Sequence, residues 1–315
     1  MISYNQGDNM ATIKKRKLKL KKKNFCILIL SILIIIFSIN LTISLLTSNK
    51  SQNKLQKKEK TELEKKLDTL ENINKNLDFF KIENIDRYIE YKNKNKDLDI
   101  EKIITHVNMG IDYDYYTNTQ KSTDLNKSYI LVNKYNYLTE DYIPNNLQKI
   151  SLEYARSGMT LIDYAKEAFE EMAKAAKKEK LSIIATSSYR DYKYQVDLYN
   201  RYVKTDGKEA ADTYSARPGF SEHQTGLAVD IYNGKETYTD FEKTKEFTWM
   251  QENAHLYGFI LRFPKDKVKE TGYQYESWHY RYVGKKIAKY IKENNISLEE
   301  YYIKFIDNKQ NTIKE

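Results

Sequence analysis

Cysteine occurs once in these 315 residues, proline three times, histidine four times and glycine ten times. The lone Cys26 excludes an internal disulfide and removes thiolates from any metal site further along the chain. It lies at the entry of the apolar run described below rather than after it, which argues against lipid attachment. Pro144, Pro218 and Pro264 all lie beyond the first third, and the first 109 residues hold one glycine, Gly7. Turn punctuation therefore belongs to the later part of the chain, where the compact core is expected.

Charge is missing altogether from residues 24–49. Residues 25–46 would span about 33 Å as a helix, enough for a hydrocarbon core of about 30 Å. Eight cationic side chains crowd in just ahead, Lys14 to Lys17 with Lys19 and Lys21 to Lys23, and such clusters stay cytoplasmic. The expectation is a basic cytoplasmic tail over 1–24, a single transmembrane helix over 25–46, and an extracytoplasmic remainder. A cleaved signal peptide fits less well, because the apolar run is too long and no small-residue cleavage site follows Leu46. The net charge is +9, and setting those eight charges aside leaves +1, so nucleic acid is not an expected partner.

Residues 47–78 read as a charged helical stalk. Leu63, Leu67, Leu70 and Leu77 form a short heptad seam, at most a weak dimer contact. Residues 79–128 read as a membrane-proximal helical region ending its helices near Gly110, with His106 partly exposed. Between 129 and 306 the texture changes, and 307–315 form a polar tail. Strands are expected at Ile130–Val132, Leu181–Thr186, Leu227–Tyr232, Phe259–Phe263 and Trp278–Val283. Helices are expected at Thr160–Lys178, Tyr192–Val203, Thr244–Tyr257 and Gly284–Asn294. Helices interleaved with short strands predict an α+β fold with a small, largely antiparallel sheet.

Two of the four histidines sit in Ser221-Glu222-His223-Gln224-Thr225-Gly226-Leu227-Ala228-Val229-Asp230 and Glu276-Ser277-Trp278-His279. A catalytic zinc keeps three N or O ligands and an open position, so His223, Asp230 and His279 suffice and Glu276 is free to act as a base. Strand alternation puts Leu227, Val229 and Ile231 on one face and Asp230 on the other. The same rule places His279 and Arg281 together, with Trp278 and Tyr280 packing behind. Gly226 lets the chain turn between His223 and its strand. Either motif alone is weak; together with Ser187-Ser188-Tyr189-Arg190 and Gln195 they carry weight. Glu222 is read as a solvated side chain or a contact behind the ligand, His255 as a helix-end histidine, and Trp249 as core filler.

Over residues 129–294 the chain resembles the VanY-type D-alanyl-D-alanine carboxypeptidases, in the zinc peptidase group that also holds L-alanyl-D-glutamate endopeptidases and the hedgehog domain. The likeness rests on Ser188-Tyr189-Arg190 with Gln195, on Arg217 through Asp230, on Tyr257 through Arg262, and on Glu276 through Gly284. Ser188 departs from the glycine often found before Tyr-Arg. The resemblance implies zinc held by His223, Asp230 and His279, with Glu276 as general base and then acid. It implies that Arg190 faces the oxyanion or, with Gln195 and Ser221, the free carboxylate of the substrate. The expected substrate is a peptidoglycan stem peptide or its lipid-linked precursor, losing its terminal D-alanine. An L,D-carboxypeptidase acting on tetrapeptides and a non-catalytic wall-binding scaffold are the alternatives.

Overall fold

The computed structural model describes residues 77–234 and 238–307, together with scattered positions between 37 and 65. The chain divides into two units, Met1–Thr69 and Leu70–Glu315. Where the first unit is described it is helical, with Thr47 Oγ1 donating to the Ser44 carbonyl. The basic cluster, most of the apolar run 25–46, and Leu63, Leu67 and Leu70 of the expected stalk lie outside the described residues. Among the described residues no helix is long and apolar enough to cross a membrane.

The second unit opens with two helices, α1 (Ile85–Lys94) and α2 (Ile100–Met109). Asp99 caps α2 by accepting the Lys102 amide, and Gly110 ends it in the left-handed region at φ 84°. These helices belong to the same compact unit as the rest. Lys102 of α2 pairs with Glu270 and Glu300 at 2.9 and 2.8 Å, and His106 is 2 % exposed, with its Nδ1 3.1 Å from the Tyr91 hydroxyl. The exposed position expected for His106 is thus wrong: α2 docks on the later chain and covers it.

Short strand pairs follow: β1 (Gln120–Lys121) with β2 (Asn136–Tyr137), parallel, and β3 (Leu147–Lys149) with β4 (Thr160–Ile162), antiparallel. The main sheet contains β5 (Ile184–Ser187), β6 (Ala228–Tyr232), β7 (Phe259–Phe263) and β8 (Glu276–Tyr282) in the order β5-β6-β8-β7, every neighbour antiparallel. The helices around it are α3 (Asp163–Lys178), α4 (Tyr192–Asp206), α5 (Lys208–Tyr214), α6 (Lys245–Asn253), α7 (Lys285–Asn294) and α8 (Leu298–Tyr302). This is the α+β arrangement the sequence predicts.

The core forms where the apolar stripe of α3, from Ala165 through Phe169 and Met172 to Ala176, shares one cluster with Leu227, Val229, Ile231, Phe259 and Tyr280. Full burial of each large side chain contributes about 1.5–3 kcal/mol relative to exposure. Two local expectations fail for identifiable reasons. Thr160–Ile162 was expected as the first turn of α3 but pairs with β3, and the Ile162 amide donates to the Gly226 carbonyl. Ile130–Val132 is buried without joining a ladder, because side chains take its carbonyls: Arg281 Nη2 donates to Ile130 O and Ser122 Oγ to Leu131 O.

Candidate metal centre

β6 and β8 bring two of the candidate ligands together by register alone. Asp230 lies directly opposite His279 across the ladder, and alternation turns both away from the apolar face that holds Val229 and Tyr280. His223 arrives from a 3₁₀ turn, Glu222–Thr225, that ends at Gly226 with φ 69°. The left-handed conformation favours glycine there, and a Cβ would stand 2.9 Å from Leu147 Cδ2 and press on that side chain.

Each imidazole is oriented by the nitrogen that faces away from the centre. His223 Nδ1 is 2.7 Å from the Ser188 carbonyl, which leaves Nε2 inward, 3.5 Å from Asp230 Oδ1. His279 Nε2 is 2.8 Å from Glu222 Oε1, which leaves Nδ1 inward, 2.9 Å from the same Asp230 oxygen. One donor atom from each of the three residues lies within 4.8 Å of the other two, and all three residues are buried. A tetrahedral ion with bonds of 2.0–2.2 Å separates its ligand atoms by about 3.3 Å, so the donor set and its spacing fit zinc.

Glu276 reaches the same place because β8 is irregular. A regular strand would send residues 276 and 279, an odd number apart, to opposite faces. Leu261 pairs with Tyr280 but Phe263 with Glu276, so β8 spends extra residues against β7 and bulges. Glu276 Oε2 consequently lies 3.7 Å from His279 Nδ1. The bulge also brings Trp278, expected purely behind the sheet, into the cavity wall while it still packs against the core. Burial, with Asp230 adding its repulsion, pushes the Glu276 carboxyl up to about 7, the range suited to a base at neutral pH.

The remaining candidates line the same cavity of about 480 Å³. Arg190 donates from Nη2 to Asp230 Oδ2 at 2.7 Å, and from Nε and Nη2 to Ser187 Oγ at 3.0 and 2.7 Å. Nη1 makes no hydrogen bond among the described residues. Gln195 is buried on α4, its Nε2 on the Ala216 carbonyl and its Oε1 without a hydrogen-bond partner among the described residues. Ser221 is buried at the start of the 3₁₀ turn. Of the two readings of Glu222, the structure excludes the solvated side chain and bears out the contact behind the ligand, since Glu222 is buried between His279 and two arginines. The overlooked signal was Arg262 and Arg281, both within core strands and both needing a carboxylate.

Burial would lower the His279 imidazole, yet its bonds to Asp230 and Glu222 raise it to about 9. Burial would raise Asp230, but the two imidazoles and Arg190 hold it well below the usual carboxylate range. Burial, with the Arg190 charge, lowers His223. The metal-free protein at neutral pH therefore carries a proton on His279 that a ligated metal must displace. Because the imidazole is raised, metal affinity should rise with pH through the neutral range, with net proton release on binding. Calorimetric titration in buffers of different ionisation enthalpy reads this directly, and binding with no proton release would contradict it.

The stretch that carries these residues resembles known proteins. Residues 158–285 match the VanY family, described as D-alanyl-D-alanine carboxypeptidase. The chain is 43% identical over 187 residues to the putative carboxypeptidase YodJ of Bacillus subtilis, covering 55% of this chain and 66% of that relative, just under two thirds of its length. It is 32% identical over 177 residues to the bifunctional D-Ala-D-Ala dipeptidase and D-Ala-D-Ala carboxypeptidase VanXYC of Enterococcus gallinarum, covering 55% of this chain and 92% of the relative. Among solved structures, the LdcB LD-carboxypeptidase superposes with a TM-score of 0.56 at 39% identity, over 60% of this chain and 91% of that one.

Proposed function

We propose, from the premise that the chain belongs to the VanY family of D-alanyl-D-alanine carboxypeptidases, that it is a zinc D,D-carboxypeptidase that removes the terminal D-alanine from peptidoglycan stem peptides or their precursors. The observation that carries the reading is the convergence of His223, Asp230 and His279 with a half-buried carboxylate, Glu276, 3.7 Å from one of them. Zinc, when bound by those three, supplies a Lewis acid and lowers the pKa of water to about 7.

The chain's own residues account for the rest. Glu276, raised toward neutrality, takes the proton of the attacking water and passes it to the departing amine of D-alanine. Arg190 stands at the cavity with one guanidinium edge fixed on Asp230 and Ser187, positioned to meet the developing oxyanion or the terminal carboxylate. Gln195, whose Oε1 has no hydrogen-bond partner among the described residues, and Ser221 are substrate-side groups in the same wall. The apolar run 25–46 with its basic flank would tether this domain on the outer face of a membrane, beside lipid-linked precursors and nascent wall. A stalk contact between two copies would be weak.

The second reading, an L,D-carboxypeptidase acting on tetrapeptides, is favoured by the likeness to the LdcB enzyme. A non-catalytic scaffold is disfavoured, since it has no use for a carboxylate raised toward neutrality beside a complete ligand set. Incubation with defined pentapeptide and tetrapeptide stems, followed by mass analysis, separates the three. D-alanine released from the pentapeptide is the expected result. Release only from the tetrapeptide supports the L,D reading, and no release from either supports the scaffold.

A further inference from the structure

Behind the metal centre lies a fully buried group of four charges that the reaction itself does not call for. Glu222 is 4 % exposed, Glu299 1 %, Arg262 2 % and Arg281 0 %. Arg262 forks onto Glu299 through Nη1 and Nη2 at 3.0 and 2.5 Å and donates from Nε to Glu222 Oε2 at 2.8 Å. Arg281 donates from Nη1 to the same Glu222 oxygen at 3.1 Å, and from Nη2 to the carbonyls of Ser128 and Ile130. Glu222 therefore divides its work. Oε2 takes both arginines, and Oε1, 2.8 Å from His279 Nε2, takes the ligand histidine.

We propose that Glu222 is the positioning residue of the metal centre, fixing the orientation of His279 so that Nδ1 faces Asp230 and His223. The inference rests on the zinc reading above and deepens it. An imidazole that ligates through one nitrogen donates its other N–H to an outer acceptor, which fixes both ring orientation and tautomer. Phe263 holds the ring from its face, with centroids 4.8 Å apart and planes tilted by 32°. Glu222 holds it from its edge. Glu222 is in turn locked, because rotating Oε1 away from His279 would break its bonds to Arg262 and Arg281.

Burying four charges costs more desolvation than a well-packed apolar cluster would, so stability alone does not explain the arrangement. Glu299 comes from α8, beyond the residues 158–285 that match the family. The C-terminal segment thereby supports the metal centre through Arg262.

The test compares the full-length protein with Glu222→Gln, Glu299→Gln and the paired Glu222→Gln/Arg281→Gln, which removes one charge of each sign. Zinc affinity is measured by chelator competition, the ligand field by the visible spectrum of the cobalt-substituted protein, and kcat and KM on a pentapeptide stem. Glu222→Gln should weaken zinc by about 10–100-fold, alter the cobalt spectrum and lower kcat with KM unchanged. Glu299→Gln, acting through Arg262, should weaken zinc less. If Glu222→Gln does not fold, the paired variant decides by the same readouts. Failure of both to fold assigns Glu222 a purely structural role and overturns the proposal, as does a folded variant with wild-type zinc affinity and spectrum. Those results leave the zinc carboxypeptidase reading intact, whereas a wild-type protein that takes up no zinc overturns both.

Discussion

Replacing Glu276 by alanine or glutamine should lower turnover of the pentapeptide by about 10²–10⁴-fold while zinc stays bound. The carboxylate stands outside the set of three candidate ligands, so its loss removes a proton acceptor and leaves the donor atoms in place. Glutamine is the informative variant because it preserves shape and hydrogen-bonding length but cannot take a proton at neutral pH. A second consequence follows from the direction of the shift. The folded-state pKa of Glu276, about 7, lies above its ordinary value, so ionisation costs the metal-free fold stability as pH rises through that range. At pH 8 metal-free Glu276→Gln should melt no lower than wild type, and calorimetry will show it. Wild-type turnover in the glutamine variant would remove Glu276 from the base role.

Asp230→Asn should have the second large effect, on the metal itself. One oxygen of Asp230 lies 2.9 Å from His279 Nδ1 and 3.5 Å from His223 Nε2, and the other takes Arg190 Nη2 at 2.7 Å. An amide offers a single oxygen. It can serve the ligand side or Arg190, and either choice places an N–H₂ group against another donor or leaves Arg190 without its carboxylate. Losing an outer partner of a ligand typically costs about 10–100-fold in metal affinity, and losing a ligand should cost more. Zinc retention after dialysis, measured by elemental analysis, should fall below stoichiometric, with activity at background. A variant that keeps one zinc per chain and hydrolyses normally would show that Asp230 is not a ligand.

Much of this site was legible because period-2 alternation is a strong constraint. Once Leu227, Val229 and Ile231 are assigned to the core, Asp230 has one direction left, and the same holds for His279 opposite Tyr280. Register then brings the two candidate ligands face to face. What alternation could not supply was the irregular backbone. It forbids Glu276 and His279 from sharing a face, and only the bulge of β8 against β7 permits it. The role of Glu222 was obscured for a different reason. A glutamate beside a loop histidine looks solvated until two arginines from strands β7 and β8 are found beneath it.

The fold boundaries failed in the same way. Leu161 fits the helical stripe of α3, but tertiary pairing with β3 holds its stretch extended. Ile130–Val132 has strand composition, yet its carbonyls are taken by Arg281 and Ser122. Sequence alone leaves His106 partly exposed because nothing local shows that α2 docks against Glu270 and Glu300 far along the chain.

The most direct test of the metal centre is anomalous diffraction from crystals of the zinc-loaded protein, collected on both sides of the zinc edge. One strong peak is expected between His223 Nε2, Asp230 Oδ1 and His279 Nδ1, with Glu276 alongside it as a neighbour. A peak elsewhere, or none at that position in a zinc-loaded and active protein, would contradict the account.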